Sequence, residues 1–335
     1  MKFLSILFLL ITFPSTVLGQ LSAGQIMVDG KLFTTISEAQ SAIINNSRVY
    51  FGPGVYSEGI KVNADNVVLS GQKGTHFRGG VIDGKATFVI SGKNALIENI
   101  ECSGVAVKAK NGACVRHQGK HLTLLGVHFH DSQQGVLTTS TSGDLIIKYS
   151  VFENLGLAGR AHAVYANGDK LVIDSSKIIN SMDQGHEIKS RAKITEISNS
   201  IVGSIVSSDS RALDIPHGGV LSVKNNIIFQ NKNTVNRQLI GYGLEGLGRK
   251  REHKIHVSNN LFILEREKGN ELLAVADGIV SYPVSVYSNV IIGKNIFDAK
   301  KYEIDNRYFE SRRAAGLVEN ELPVIAVLPY LLNKK

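Results

Sequence analysis

One short pattern of apolar and polar positions recurs along the chain from about residue 95. Each copy has an apolar residue, a polar pair rich in Asn and Ser, and a second apolar residue five positions after the first. Copies recur every 23 to 34 residues, with little helical periodicity between them, which disfavours strand-helix-strand units of about 30 or more residues. The pattern predicts a solenoid of short strands. The copies are Ile97/Cys102, Leu124/Phe129, Ile147/Phe152, Ile173/Ile178, Ile197/Val202, Val223/Ile228, Val257/Phe262 and Val286/Ile291.

Each copy predicts a strand, a tight turn and a second strand, as in KLVIDSSKIINS and GVLSVKNNIIFQN. Asn and Ser suit such turns because they bond to local backbone and tolerate unusual dihedral angles. We therefore expect stacked copies such as Asn199, Asn225 and Asn259 to form a ladder along the wall. An antiparallel sandwich is the alternative fold, but the Asn-Gly type of hairpin signal is scarce.

Two segments are candidates for covering the exposed strand edges at the ends of a solenoid. TTISEAQSAI (34–43) and DNRYFESRRAAGL (305–317) each begin with a capping residue and space their apolar residues as a helix does. We predict one all-β domain over 20–335, with an N-terminal cap at about 25–50, coils at about 50–295 and a C-terminal capping segment at about 296–335. The longest interval holds an extended basic loop, 231–253, which is predicted to form one wall of a groove.

The first 19 residues have the layout of a cleavable secretory signal: Lys2, an apolar run and a small-residue end. The run is too short to span a bilayer, which takes about 20 apolar residues. We predict a secreted or periplasmic protein with no membrane span. Cys102 and Cys114 could then form a disulfide, although two buried thiols are at least as good an interpretation. Their spacing does not indicate zinc.

The net charge of +8 indicates an anionic partner. Nucleic acid is disfavoured, because Trp is absent and no zinc-finger, helix-turn-helix or RNA-binding pattern occurs. An acidic polysaccharide is the partner that we predict for an exported basic protein of this kind. The oligomeric state stays open, with a monomer as the expectation.

Four segments between the repeats align with one another and predict a sheet that carries ionisable groups. If Val164, Ile188, Leu213 and Leu239 point inward, strand alternation turns their neighbours outward. Lys189 would then lie beside Tyr165 on one coil and Asp214 on the next, about 4.8 Å apart along the stack. The same alignment turns outward Glu187, Arg191 and Tyr242, and sets near the strand ends His162, His186, Arg211, His217 and Arg237.

This concentration of charge suits the cleavage of a uronate by β-elimination. The reaction needs a group that neutralises the carboxylate, a base for the C5 proton and an acid for the departing O4. Arginines (Arg191, Arg211, Arg237) suit the first role, Lys189 or a histidine (His162, His186, His217) the second, and Tyr165, Tyr242 or a histidine the third. Glu187 and Asp214 are counted among the substrate-binding groups. A lysine base requires a lowered pKa.

Structural roles remain open for several of these residues. Lys189 could pair with Asp214 or Glu187, Arg191 could hold a turn, and His162 and His186 could be a stacked pair. The four histidines of earlier coils are expected to be exposed strand or turn residues without a role: His117, His121, His128 and His130.

The segments FTTISEAQSAI and VYFGPGVYSEGIKVNADNVVLSG resemble the N-terminal cap and first coil of the pectin lyase-like right-handed parallel β-helix superfamily. The resemblance spans roughly residues 25–295 and implies a right-handed parallel β-helix with short helical caps. The superfamily holds lyases, hydrolases, esterases, epimerases and adhesins, so the fold does not choose the activity.

The order of parts also resembles the chondroitinase B and alginate lyase family, in which a lysine on one coil and an arginine on a following coil act as base and acid. EIKSRAKITEISNSIVGS and RALDIPHGGVLSVKNN have this rhythm, with Lys189 in the lysine position. The arginine position falls within 214–217, so His217 or Arg211 would replace it.

We therefore predict a secreted polysaccharide lyase acting on a uronate-containing polysaccharide. The alternatives are a uronate 5-epimerase, a glycoside hydrolase and a non-catalytic protein that binds acidic glycans. The cofactor requirement is open: Ca²⁺ bound through Asp214 or Glu187 is possible, but the sequence has no acidic cluster that predicts a metal site.

Overall fold

A computed structural model describes residues 20–248, 251–276, 283–294, 296–297, 303–319 and 321–333. The predicted signal at 1–19 lies outside the described residues, as do Arg249 and Lys250 of the basic loop. Across the described segments, the helices are too short or too polar to cross a membrane.

The chain is almost entirely short strands. In chain order they are β1 (Ile26–Val28), β2 (Lys31–Phe33), β3 (Arg48–Phe51), β4 (Gly54–Tyr56), β5 (Ile60–Val62), β6 (Val68–Gly71), β7 (Thr75–Arg78), β8 (Ala86–Ile90), β9 (Ala95–Glu98), β10 (Glu101–Ser103), β11 (Ala113–His117), β12 (Leu122–Leu125), β13 (His128–Ser132), β14 (Gln134–Thr138), β15 (Asp144–Lys148), β16 (Val151–Leu155), β17 (Val164–Ala166), β18 (Lys170–Asp174), β19 (Lys177–Ile179), β20 (Ile188–Ser190), β21 (Ile194–Ser198), β22 (Ile201–Gly203), β23 (Leu213–Ile215), β24 (Val220–Lys224), β25 (Ile227–Gln230), β26 (Gln238–Tyr242), β27 (Lys254–Ser258), β28 (Leu261–Leu264), β29 (Asn270–Val275), β30 (Val284–Tyr287), β31 (Val290–Gly293), β32 (Ile296–Phe297), β33 (Glu303–Ile304) and β34 (Arg307–Phe309). The helices are α1 (Ile36–Ala42), α2 (Arg312–Ala315) and α3 (Val327–Asn333).

These strands stack into three long sheets, so the fold is an all-β parallel β-helix, as the repeat predicts. The first sheet has the order β2-β1-β3-β6-β9-β12-β15-β18-β21-β24-β27-β30-β33. The second runs β34-β31-β28-β25-β22-β19-β16-β13-β10-β7-β4, and the third β32-β29-β26-β23-β20-β17-β14-β11-β8-β5. From β3 to β32 each coil contributes one strand to each sheet, and neighbouring coils pair in parallel. The β1 pairings with β2 and β3 are antiparallel.

The predicted repeat is confirmed residue by residue. Leu124 pairs with Ile97 and Ile147 in the first sheet, and the column continues through the first apolar residue of every later copy. In the second sheet Phe129 pairs with Cys102 and Phe152, and that column continues in the same way. These side chains fill the inside of the solenoid and form its main core.

The two cysteines are joined in a disulfide, Cys102–Cys114, which settles the choice that the sequence left open. Both cysteines are fully buried and belong to the main core. The bond links β10 of the second sheet to β11 of the third within one coil.

The predicted ladder is present in part, since Asn225 Nδ2 donates to Asn199 Oδ1 at 3.5 Å. A longer, buried ladder lies one residue further along each turn. Asn199, Asn225 and Asn259 occupy the left-handed turn position, with φ of 51°, 59° and 57°. The buried ladder is built by the residue that follows each turn position. Its side-chain oxygen accepts a hydrogen bond from the backbone amide of the corresponding residue in the preceding coil, so this amide is paired. Its members are Ser150, Ser176, Ser200, Asn226, Asn260, Asn289 and Asn306.

The N-terminal cap is the helix that the sequence predicts within 34–43. Thr35 caps α1: its hydroxyl accepts a hydrogen bond from the Glu38 amide and donates one to the Glu38 carboxylate at 2.8 Å.

The C-terminal segment differs from the predicted helix over 305–317. Arg307–Phe309 is a strand that pairs with β31, and only Arg312–Ala315 is helical there. The outer face of the second sheet is apolar near this end and forms a second core with α2 and α3. The segment therefore covers a side of the solenoid as well as following its last coils.

We expect Asn260→Ala to lower the free energy of unfolding by about 3 kcal/mol, because burial without partners costs about 1–3 kcal/mol per polar group. The Asn260 amide donates to the carbonyls of Val223 and Ser258, each at 2.9 Å, and its Oδ1 accepts from the Asn226 amide at 2.9 Å. Urea denaturation followed by circular dichroism measures the change. The matched control is Asn259→Gly at the adjacent left-handed position, expected to cost less than about 1 kcal/mol. Equal losses in the two variants would contradict the role assigned to the ladder.

Candidate active site

The third sheet brings together most of the ionisable residues that the alignment singles out. Strands β17, β20 and β23 lie side by side, and their register pairs Tyr165 with Lys189 and Lys189 with Asp214. Val164, Ile188 and Leu213 point into the core, as expected. Three consecutive coils therefore supply one polar cluster.

Tyr242 is not part of this cluster, because the alignment of the fourth strand is wrong by one residue. Leu213 pairs with Ile240 instead of Leu239, and Ile215 pairs with Tyr242, so Tyr242 turns inward. Its side chain is fully buried and its hydroxyl donates to the Gly219 carbonyl. Burial raises the pKa of Tyr242 to about 12. These contacts indicate a structural residue instead of a substrate-binding one or an acid.

Glu187 also points inward, contrary to the alignment. Strand β20 begins at Ile188, so Glu187 lies in the corner before it, where the alternation of a strand does not apply. It is fully buried, its Oε1 accepts from the Ser181 amide at 3.2 Å, and it lies against the buried Asp209. A residue in this position does not reach a substrate on the outside.

Glu187 and Asp209 form a buried pair of carboxyl groups. Asp209 accepts a hydrogen bond from the Thr234 hydroxyl at 2.7 Å, and each carboxyl group keeps one buried oxygen without a described partner. Burial raises the pKa of Asp209 to about 7. Burial, and then the charge of Asp209, raise the pKa of Glu187 well above its usual range. We infer that Glu187 is protonated and that its proton lies between the two groups.

The outer side of the cluster centres on Lys189, which is largely buried. Its Nζ lies 3.0 Å from Asp214 Oδ2 and 2.7 Å from Glu245 Oε1. Burial acts to lower the pKa of Lys189, but Asp214 and Glu245 outweigh it and the net shift is upward. Lys189 is therefore a charged ammonium, and the lowered pKa that a lysine base requires is absent.

Arg191 lies at the centre of a second group of contacts. Its Nη2 lies 2.5 Å from Glu245 Oε2, its Nε donates to the Tyr165 hydroxyl at 2.8 Å, and its Nη1 lies 2.7 Å from His217 Nε2. Burial and the neighbouring Arg191 lower the pKa of His217, so this imidazole is neutral near pH 7. The guanidinium thus connects a carboxylate, a phenol and a neutral imidazole.

His162 and His186 are the stacked pair that the sequence left open, with ring centroids 4.9 Å apart. His162 Nδ1 accepts from the His186 amide and His186 Nδ1 accepts from the Arg211 amide, each at 3.1 Å. Burial, followed by Lys189 and Arg211, lowers the pKa of His186 to about 3, and burial lowers that of His162. Both are neutral rings that position the cluster from below: His186 Nε2 lies 3.4 Å from Asp214 Oδ2.

The two remaining arginines differ in position. Arg211 belongs to the cluster, with its Nη1 3.4 Å from Asp214 Oδ1. Arg237 lies beyond it and pairs with Glu271 of β29, the two side chains being 3.0 Å apart.

Asp214 and Glu187 do not fit the calcium site considered for them. Glu187 faces the core, so it cannot bind an ion on the outer face. Asp214 is already paired with the cations Lys189 and Arg211, and these two positive charges disfavour the binding of a metal cation.

Sequence reasoning missed Glu245, which closes the cluster from the loop after β26. Its carboxylate bridges Lys189 and Arg191, and although burial opposes the change, these partners lower the pKa of Glu245 to about 2. The repeat gave no signal for it, because the loop has no counterpart on other coils. The single acid in the otherwise basic stretch GLEGLGRKR was the available indication.

Comparison with known proteins finds likeness in structure and none in sequence. No family model and no curated protein matches the sequence. ORF18 of Geobacillus virus E2 is similar in structure, with a TM-score of 0.50 and 15% identity over 82% of this chain and 56% of that one. For pectate lyase Pel9A the TM-score is 0.45 and the identity 14%, over 76% of this chain and 73% of that one. For a variant of the PL6 family alginate lyase AlyGC the TM-score is 0.40 and the identity 10%, over 82% of this chain and 52% of that one. The chain spans little more than half of the viral protein, and at these identities the likeness concerns the fold alone.

We expect Glu187→Gln to change how stability depends on pH. In the wild type the raised pKa of Asp209 means that the folded state binds more protons than the unfolded state between about pH 4 and pH 7. Stability from this pair is therefore full below that window and falls as pH rises through it. Glu187→Gln removes one ionisable group, so the free energy of unfolding should fall less as pH rises through this window. Above pH 7 the free energy of unfolding of the variant should exceed that of the wild type by on the order of 1–3 kcal/mol.

Urea denaturation at several pH values measures the effect. The control is Glu196→Gln, which removes an acid on the exposed side of the first sheet and should leave the slope unchanged. An unchanged slope in Glu187→Gln would contradict the shared proton.

Proposed function

We propose that this protein is a secreted polysaccharide lyase that cleaves a uronate-containing polysaccharide by β-elimination. The observation that carries the proposal is the position of Glu245. Its carboxylate lies between Lys189 Nζ at 2.7 Å and Arg191 Nη2 at 2.5 Å, so the cluster binds one carboxylate through two cations. A uronate carries the same group, and a carboxylate held in this way acidifies the neighbouring C5 proton.

The remaining groups suit the two proton transfers. His217 is a neutral imidazole whose Nε2 accepts from Arg191. When the guanidinium turns to the substrate carboxylate this lone pair is released, so His217 is our candidate for the base that removes the C5 proton. The Tyr165 hydroxyl accepts from Arg191, which leaves its own proton to be donated to the departing O4. Elimination then breaks the C4–O4 bond, forms a C4=C5 double bond, and leaves the imidazole protonated and the phenol deprotonated until solvent restores both.

The other cluster residues support these groups. Lys189 is charged, so we assign it to carboxylate binding instead of the base role. Asp214 pairs with Lys189 and Arg211 and so holds both in position. The neutral ring of His186 contacts Asp214, and the rings of His162 and His186 accept hydrogen bonds from backbone amides just before the strands. This group of contacts is preorganised, because its members are largely buried and fixed by strand register.

The proposal is tested by ultraviolet absorbance of the unsaturated uronate product. The protein lacking residues 1–19 is incubated with alginate, pectate, glycosaminoglycans and bacterial exopolysaccharides, with and without calcium. We expect absorbance to rise with one of them, and Arg191→Ala and His217→Ala to lower turnover by at least about 100-fold. Lys193→Ala is the matched control, since Lys193 pairs with Asp169 on the exposed surface.

A flat trace with new reducing ends would replace the lyase by a hydrolase. A flat trace with an altered uronate configuration would indicate the 5-epimerase. Binding without any product would leave a glycan-binding protein. Full turnover in the Arg191 or His217 variants would reject this site.

Glu245→Gln tests whether Glu245 occupies the substrate's position. A substrate carboxylate has to replace Glu245 between Lys189 and Arg191, and the uncharged amide is a weaker competitor for two cations. We expect KM to fall by at least about threefold, with kcat changed less than about twofold. Initial rates over a range of polysaccharide concentrations give both constants, and Glu252→Gln in the same loop is the control. A raised KM would instead make Glu245 a substrate-positioning residue.

A further inference from the structure

We propose a second site on this protein: a transition-metal site of the zinc class, formed by His76, Glu101 and His130 on the outer face of the second sheet. The sequence did not indicate it, because the three residues belong to three different coils and show no metal-binding spacing. The site is on a different sheet from the polar cluster around Lys189 and in coils nearer the N-terminus.

The parallel register brings the three residues together. Strands β7, β10 and β13 are consecutive neighbours, and Glu101 pairs directly with His76 on one side. On the other side Ser103 pairs with His130, so His130 lies one outward position along the same face. The carboxylate of the middle coil therefore has an imidazole from the coil before it and one from the coil after it.

The distances are those of a coordination shell. Glu101 Oε1 lies 3.4 Å from His76 Nδ1 and 3.1 Å from His130 Nε2. One ligand atom from each residue lies within 4.8 Å of the others. With zinc–ligand bonds of about 2.0–2.1 Å, the edge of a tetrahedron is about 3.3 Å, which the two measured distances match.

In each histidine the ring nitrogen that does not face Glu101 contacts another side chain. His76 Nε2 lies 2.7 Å from the Ser103 hydroxyl, and His130 Nδ1 lies 2.7 Å from Asp131 Oδ2. Metal-binding histidines typically make such a contact through the nitrogen that does not bind the metal, because it fixes the ring and the tautomer. In both residues the nitrogen that remains is the one that faces Glu101.

The chemistry of this set favours a particular class of ion. Two imidazoles and one carboxylate suit Zn²⁺, Cu²⁺ or Ni²⁺, whereas Ca²⁺ takes six to eight oxygen ligands. The side chains of His76, Glu101 and His130 are 19%, 38% and 17% exposed, so an ion can enter from solvent and keep one position for water. His128 lies beside the site, its ring centroid 4.4 Å from that of His130. A bound ion would join three consecutive coils.

The test is calorimetric titration of Zn²⁺ into the chelator-treated protein. We expect one ion per chain with a dissociation constant in the micromolar range or tighter, weakened by at least about tenfold in His76→Ala and His130→Ala. His121→Asn is the matched control, because it removes a histidine that lies 3.5 Å from one carboxylate, that of Asp144, and that belongs to no three-ligand group among the described residues. Asn suits its left-handed backbone, with φ of 60°.

Two further measurements exclude misfolding as the cause. Glu101→Gln keeps the size of the side chain and removes the anionic ligand, so it should lose Zn²⁺ affinity while its circular dichroism spectrum is unchanged. Zn²⁺ should raise the melting temperature of the wild type and of His121→Asn but not that of Glu101→Gln. Absence of Zn²⁺ binding, or affinity that survives in all three ligand variants, would overturn the proposal and leave these groups as ordinary surface ion pairs.

Discussion

The structure depends on the in-register pairing of each coil with the one before it. Backbone hydrogen bonds set the strands about 4.8 Å apart, and the apolar columns through Leu124 and Phe129 prevent the register from slipping, since a shift of one residue would turn each column outward. The buried ladder through Asn226 and Asn260 adds a polar constraint at the corner between the first and second sheets. Side chains far apart in the sequence are thereby held as fixed neighbours.

Both proposed sites use this constraint, but they differ in how their charges are balanced. Around Lys189 and Arg191, three cations including Arg211 meet Asp214 and Glu245, and buried neutral histidines fill the space beneath. Around Glu101, one carboxylate meets imidazoles that can be neutral or charged. The first arrangement retains positive charge for an anion when Glu245 moves away, whereas the second retains lone pairs for a cation.

The sequence predicted the strands well where apolar residues alternate and poorly where the chain turns a corner. The columns of the first and second sheets follow from the repeated pair of apolar residues spaced five positions apart. The structure confirms every pairing within these two columns. Glu187 was misjudged because it precedes its strand, and Tyr242 because Leu239 and Ile240 are both apolar and both buried, so either could have been the partner of Leu213. Glu245 lies in a loop without a counterpart, and the His76, Glu101 and His130 group appears only when the register of the second sheet is known.

Because each coil pairs with the coil before it, such a chain can be assembled in sequence order. Parallel strands pair with the coil immediately before them, and the helix α1 and the antiparallel β1 and β2 complete the end that is made first. Each new coil can therefore use the previous one as a template while the rest of the chain is still absent, without waiting for a distant segment to close the fold. A protein delivered N-terminus first, at a ribosome or through a membrane pore, can thus grow its core in the order in which its residues arrive.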